Sequence, residues 1–310
     1  MLQMIRNARL LTSLVALLCA QTGFAADAVP VNLPKPVLPE MSWTLLLPKD
    51  QLVQFGGRVN MDAAGVNQTQ MLYPSGGAGA AGFFAAILTH ALVTDATKRA
   101  QKTKLQQEAD VVLKPFADVL GGFQHSELMR LALAKTTSGS QRRLANIDEQ
   151  AGKDWRVASA PAFFMTQDKR SLVLDNLVAV VPPGMGEKDA YQVTVRVVSS
   201  ALSGDGLDEQ WNGQGGERLK AESAAMLAQS LDLALADIAG MMAKGSGTQK
   251  SVRYLEGSSE RVERGELLKE NCGRSVLRTL RGALMSVPTS AGAESQPCEQ
   301  KLATAGVAGA

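Results

Sequence analysis

The sequence predicts an α+β fold: an antiparallel three-stranded meander packed by long helices, with an additional β-rich N-terminal region and a C-terminal hairpin. Three observations carry this expectation. The runs Trp155 to Thr166, Ser171 to Val181 and Tyr191 to Ser200 are rich in β-formers. They are joined by Gln167-Asp168-Lys169-Arg170 and by a connection opening on Pro182-Pro183-Gly184, too short for crossover helices. In the third run Tyr191, Val193, Val195 and Val197 alternate with Gln192, Thr194 and Arg196, so one face of the sheet is packed. The element that packs it is expected over Glu217 to Lys244. There Leu219, Ala221, Met226, Leu227, Leu231, Leu235, Ile238 and Met242 form a broad apolar stripe at helical spacing.

The chain begins with the pattern of a cleaved export signal over residues 1–25. Arg6 and Arg9 precede an apolar run from Leu10 to Ala20, and Gly23-Phe24-Ala25 supplies the small-residue cleavage site before Ala26. The apolar run is about half of the roughly 20 residues that a spanning helix needs. Leu18 stands before Cys19 where lipid-modifying processing requires a small residue, so a lipoprotein is not expected. Across the 310 residues there are 32 basic and 30 acidic side chains, and removal of Arg6 and Arg9 leaves 30 of each. No global basic field remains, and nucleic acid is not expected as a partner. With 45% hydrophobic residues the chain has enough apolar content for one large or two modest cores.

A proline-rich tether follows over residues 26–40, with Pro30, Pro34, Pro36 and Pro39. The α+β core domain is expected over 41–248. It opens with strands at Trp43 to Leu47, Gln51 to Met61 and Val66 to Tyr73, and continues after Pro74 in a long helical stretch that Pro115 kinks or restarts. In that stretch Leu105, Ala109, Val112, Phe116 and Leu120 mark a core face. A short helix over Ser126 to Ala134 and a polar linker at Thr136 to Arg143 follow, the latter a candidate seam over 136–150. Residues 249–288 form a C-terminal β-rich segment with a hairpin turning at Gly257-Ser258-Ser259. Val276 to Val287 fits strand and helix equally well, and 289–310 reads as a flexible tail.

No catalytic spacing, metal ligand set or cofactor motif survives weighing. Gly77-Ala78-Gly79-Ala80-Ala81-Gly82 has dinucleotide-loop spacing, but helical periodicity replaces the second strand and its acidic residue. Asp205, Asp208 and Glu209 lie in a glycine-bearing loop without the twelve-residue calcium pattern. His90 and His125 read as core or capping histidines. Ala78, Gly82 and Ala86 share one helical face that permits close packing against another element, a second copy or a membrane. Cys272 and Cys298, 26 residues apart, are a disulfide candidate in an oxidising compartment. Arg274, Arg278 and Arg281 are read as one cationic helical face, and Trp211 as a loop anchor or an exposed partner contact.

Tyr73-Pro74 followed by Gly79 to Val93, together with the meander from Trp155 to Ser200, resembles exported accessory proteins of Gram-negative envelopes. The types in question are the curli-secretion lipoproteins and the penicillin-binding-protein activators. The absence of a lipobox departs from those families, so no anchoring, role or functional residue is carried over. The expected function is that of an envelope accessory protein, periplasmic or outer-membrane-associated, acting through contacts with an envelope protein or with itself. Two alternatives stand beside it: an envelope hydrolase using a pair of carboxylates, and a membrane-inserting or self-assembling protein acting through 76–93.

Overall fold

The computed structural model describes residues 34–47, 51–59, 104–146, 152–242, 248–271 and 273–289. Among them the fold is α+β, built on one mixed sheet of ten strands. The strands are β1 (Ser42–Leu47), β2 (Gln54–Gly57), β3 (Gln141–Asn146), β4 (Trp155–Met165), β5 (Leu172–Val181), β6 (Tyr191–Val198), β7 (Gln249–Glu256), β8 (Ser259–Asn271), β9 (Arg274–Thr279) and β10 (Leu284–Pro288). Their order is β3-β1-β4-β5-β6-β10-β9-β8-β7, with β2 beside β4. The helices are α1 (Ala117–Gly122), α2 (His125–Lys135) and α3 (Leu207–Ile238), and a 3-10 helix over Asp110–Phe116 contains Pro115.

Strand β4 takes two partners along one edge. β1 runs parallel to its start, with Leu45 opposite Val157, and β2 runs parallel to its end, with Gln54 to Gly57 opposite Ala162 to Met165. Pro161 lies between the two stretches, where a residue without an N–H interrupts neither ladder. On the other edge it faces Asn176 of β5. The Asn176 Oδ1 accepts from the Ala160 N–H (3.1 Å) and the Ser159 hydroxyl (2.9 Å), while Nδ2 donates to Ser230 of α3 (2.8 Å). A fully buried carboxamide thus substitutes for the missing ladder bond and ties the sheet to its covering helix.

From β6 the sheet continues in parallel into β10 and then antiparallel through β9, β8 and β7. Tyr254 of β7 bridges back to Thr289 just after β10, so this end of the sheet curls on itself. The edge strand β3 corrects the linker expected at Thr136 to Arg143, because Gln141 onward pairs in parallel with β1. The single cationic helical face expected for Arg274, Arg278 and Arg281 is also corrected. Arg274 and Arg278 belong to strand β9, and Arg281 lies in the turn beyond it.

The main core lies between one face of the sheet and the helices. Trp43, Phe163, Met165, Leu174, Val178, Val193 and Val195 meet Phe116, Leu128, Leu219, Leu227, Leu231 and Leu235. Helix α3 is broken at Gly213 to Gly216, where Gln214, Gly215 and Gly216 have positive φ. A Cβ on Gly216 would lie 2.3 Å from Val119 of α1, so glycine is required there for close approach as well as for backbone conformation. The stripe beginning at Leu219 lies beyond this break. At the N-terminal end Leu38 is buried, so the end of the proline-rich stretch packs on the core.

Candidate functional site

Polar chemistry gathers in two places, the first on the sheet face away from α3. Here Asp175 of β5 accepts from Arg196 of β6 through both oxygens, at 2.6 and 2.7 Å. Glu256, at the end of β7, accepts from Arg58 through both oxygens, at 2.7 and 3.2 Å. Tyr254 lies between the two pairs, and its phenol is pushed up to about 12 by burial and by Glu256. Burial favours protonation of Asp175, but Arg196 and Arg58 outweigh it and hold the carboxyl below its ordinary value. Both carboxylates are therefore fixed as anions in two-pronged guanidinium contacts. A general acid needs the opposite tuning, a carboxyl that keeps its proton near neutral pH. Two glutamates do have raised values through burial, Glu222 on α3 and Glu263 on β8, but they stand on separate elements.

The second place is an open cleft of about 410 Å³ between the β4–β5 turn and the loop that leads into α3. Lys169 meets Asp208 at 2.7 Å across it, and Lys169 holds a left-handed backbone with φ of 57°. Asp168 reaches the other way. It accepts from the Thr166 hydroxyl at 2.6 Å and from the Ser258 N–H at 2.6 Å, clamping the β7–β8 turn to the β4–β5 turn. Burial raises the Asp168 carboxyl, but these donors outweigh it and hold it below its ordinary value. The acidic loop singled out in the sequence is thus engaged at Asp208. Among the described residues no group of His, Cys, Asp and Glu gathers as a metal site would require.

Trp211 closes the floor of this region. It is 1% exposed, and its indole N–H donates to the Lys169 carbonyl at 2.7 Å. This corrects its reading as an exposed partner contact: the ring fills the core beneath the strained turn, and its polar edge is satisfied there. His125 begins α2 and is buried, with its backbone N–H donating to the Gln51 carbonyl. Arg278 donates to Asp237 at 2.5 Å and Tyr191 donates to the same carboxylate, closing the C-terminal end of α3 onto the sheet. Arg274 is buried against the Val198 and Ser286 carbonyls, and burial lowers its guanidinium to about 10. The disulfide candidate Cys272 and Cys298, the packing residues Ala78, Gly82 and Ala86, and His90 lie outside the described residues.

The paired charges were missed in the sequence although part of the signal was present. Asp175 interrupts the run Leu172 to Val181, and Arg196 interrupts Tyr191 to Val198, each a charge on a buried strand that demands a partner. Arg58 and Glu256 are 198 positions apart, and no local pattern joins them. Among the described residues no helix is long and apolar enough to cross a membrane. No family model, no curated protein and no solved structure matches the chain.

Proposed function

We propose that the chain is an exported envelope accessory protein, periplasmic or outer-membrane-associated, that acts through protein–protein contacts. The observation that carries the reading is the leader, with Arg6 and Arg9, the apolar run from Leu10 to Ala20 and the Gly23-Phe24-Ala25 site. The contact-based part draws support from Asp175 and Glu256, which an enzyme of the two-carboxylate kind would leave free and which here hold strands together through Arg196 and Arg58. In this reading the β4-β5-β6 meander and the β7–β8 hairpin are a rigid frame, and the glycine-rich 76–93 packs through Ala78, Gly82 and Ala86. Export also implies that Cys272 and Cys298 are joined, closing the chain after β10.

Fractionation of cells that make the full chain tests the central part. The expected result is a periplasmic or outer-membrane pool whose first residue is near Ala26, together with a specific protein retained on pull-down from envelope extracts. A cytoplasmic pool that keeps Met1 contradicts export. Thiol labelling of the native oxidised protein tests the bridge: Cys272 and Cys298 should be inert until reduced, and two freely labelled thiols would refute it.

A further inference from the structure

We propose that the alanine-lined half of the second sheet face is the seat of residues 76–93 of the same chain. The face is built from Leu46 of β1, Ala158 and Ala160 of β4, and Leu177 and Ala179 of β5, all between 3% and 6% exposed. That burial exists within a single copy, so what excludes water belongs to the same polypeptide. Helix α3 lies on the opposite face, and the described apolar side chain packed against this patch is Ala190 alone.

The course of the chain selects the cover. Of the internal stretches outside the described residues, 48–50, 147–151 and 243–247 are at most five residues long, whereas 60–103 has 44. The patch spans three strands, about 10 Å across, and about 13 Å along β4 from Ala158 to Ala162. Five residues that must also link two strands do not cover that area. The ends of 60–103 fix its departure and return. The Gly57 N–H donates to Asp110 at 2.7 Å and Gln106 donates to the Gly57 carbonyl at 3.0 Å, so both ends are fastened beside β2. A Cβ on Gly57 would lie 1.9 Å from the Ala109 carbonyl oxygen, so the returning chain crosses the strand at backbone contact. Arg58 leaves toward the second face, where its charge bears on Asp175, and Asp175 stands opposite Ala162 at the border of the patch. After 104 the chain runs on to Val112 and Phe116 in the main core. It therefore departs on one face and returns onto the other.

Within 60–103 the chemistry narrows the choice. Residues 76–93 contain no Asp, Glu, Lys or Arg, while Asp62 precedes them and Asp95, Lys98, Arg99 and Lys102 follow. As a helix these 18 residues reach about 27 Å, enough to cross the patch. Alanine on the sheet leaves room for a helix backbone to approach closely, and a charge-free segment adds no buried unpaired group. The segment is thereby committed inside its own chain instead of to a bilayer or a second copy.

Photocrosslinking of the full chain tests this. Phe84→p-benzoylphenylalanine, a replacement of one aromatic ring by a larger one, should give a monomeric adduct that mass spectrometry maps to peptides of Leu46, 155–165 or 172–181. The reciprocal probe, Leu177→p-benzoylphenylalanine, should map to 76–93 and keeps the test open if the first variant folds poorly. Dimeric adducts from Phe84, adducts to lipid in envelope preparations, or adducts from Leu177 to 1–33, 147–151 or 290–310 would overturn the proposal.

Discussion

The two faces of the sheet reach burial by different means. Against α3 the strands present large side chains, Phe163, Met165, Leu174 and Val195, which interlock with Leu227, Leu231 and Leu235. On the other face the same strands present Ala158, Ala160, Ala162 and Ala179, together with the Asp175–Arg196 pair. The first face gains its stability from apolar volume, and a periodic helix is its complement. The second offers little volume, so it needs a cover whose backbone comes close, and its charges need fixed partners because water is excluded around them. A sheet with two such faces supports a core on one side and a fitted contact on the other.

Four substitutions sharpen or break this contrast. Leu231→Ala should have the largest effect, a loss of about 3 to 4 kcal/mol in denaturant unfolding, because it opens a cavity under a fully buried leucine. Asp175→Asn should follow at about 3 kcal/mol, the cost of leaving Arg196 buried with a neutral partner. Its pH dependence carries a sign. The folded Asp175 carboxyl is depressed, so its contribution is present above the unfolded value of about 3.9 and is lost as pH falls through the folded one. The wild type should lose stability relative to Asp175→Asn below about pH 4. A difference that instead vanished on the alkaline side would break the assignment.

Ala160→Leu should cost about 2 kcal/mol by overpacking if the second face is closely covered. A neutral or stabilising result would mean that this face has room, and the contrast between the faces would fail. Lys169→Gly is the smallest: relief of the left-handed backbone offsets the loss of the partly exposed Asp208 pair, so melting should move by less than the equivalent of about 0.5 kcal/mol. A loss above about 1 kcal/mol would assign that pair a structural weight that surface ion pairs rarely have.

What was legible in the sequence follows the same division. Tyr191 to Val198 alternates, and its apolar set does face the core; the stripe from Leu219 to Ile238 is buried along α3, although Ala221 within it is exposed. These are local periodicities, and local patterns report which side of an element is covered. The strand β3 was hidden because Gln141, Arg142 and Arg143 are polar, as an edge strand's residues are. The run from Val276 to Val287 was ambiguous because a short apolar run fits both periods, and its pairing with β6 arises from contacts distant in sequence. Trp211 sits amid Asn212, Gly213, Gln214, Gly215 and Gly216, which read as an exposed loop; the buried indole bond to Lys169 needs a turn 42 positions away. The ion pairs of the second face were illegible for the same reason.

The most direct test of the claim that the chain covers its own second face is the reactivity of a thiol placed there. Ala179→Cys in the full chain, labelled under native conditions and read peptide by peptide, should react far more slowly than an exposed cysteine, because position 179 is buried. Adding Gly82→Leu, which enlarges the segment proposed as the cover, should raise the labelling rate at position 179 at least tenfold while the fold persists. Equal, slow labelling with and without Gly82→Leu would contradict the account, since the face would then be sealed by something other than residues 76–93.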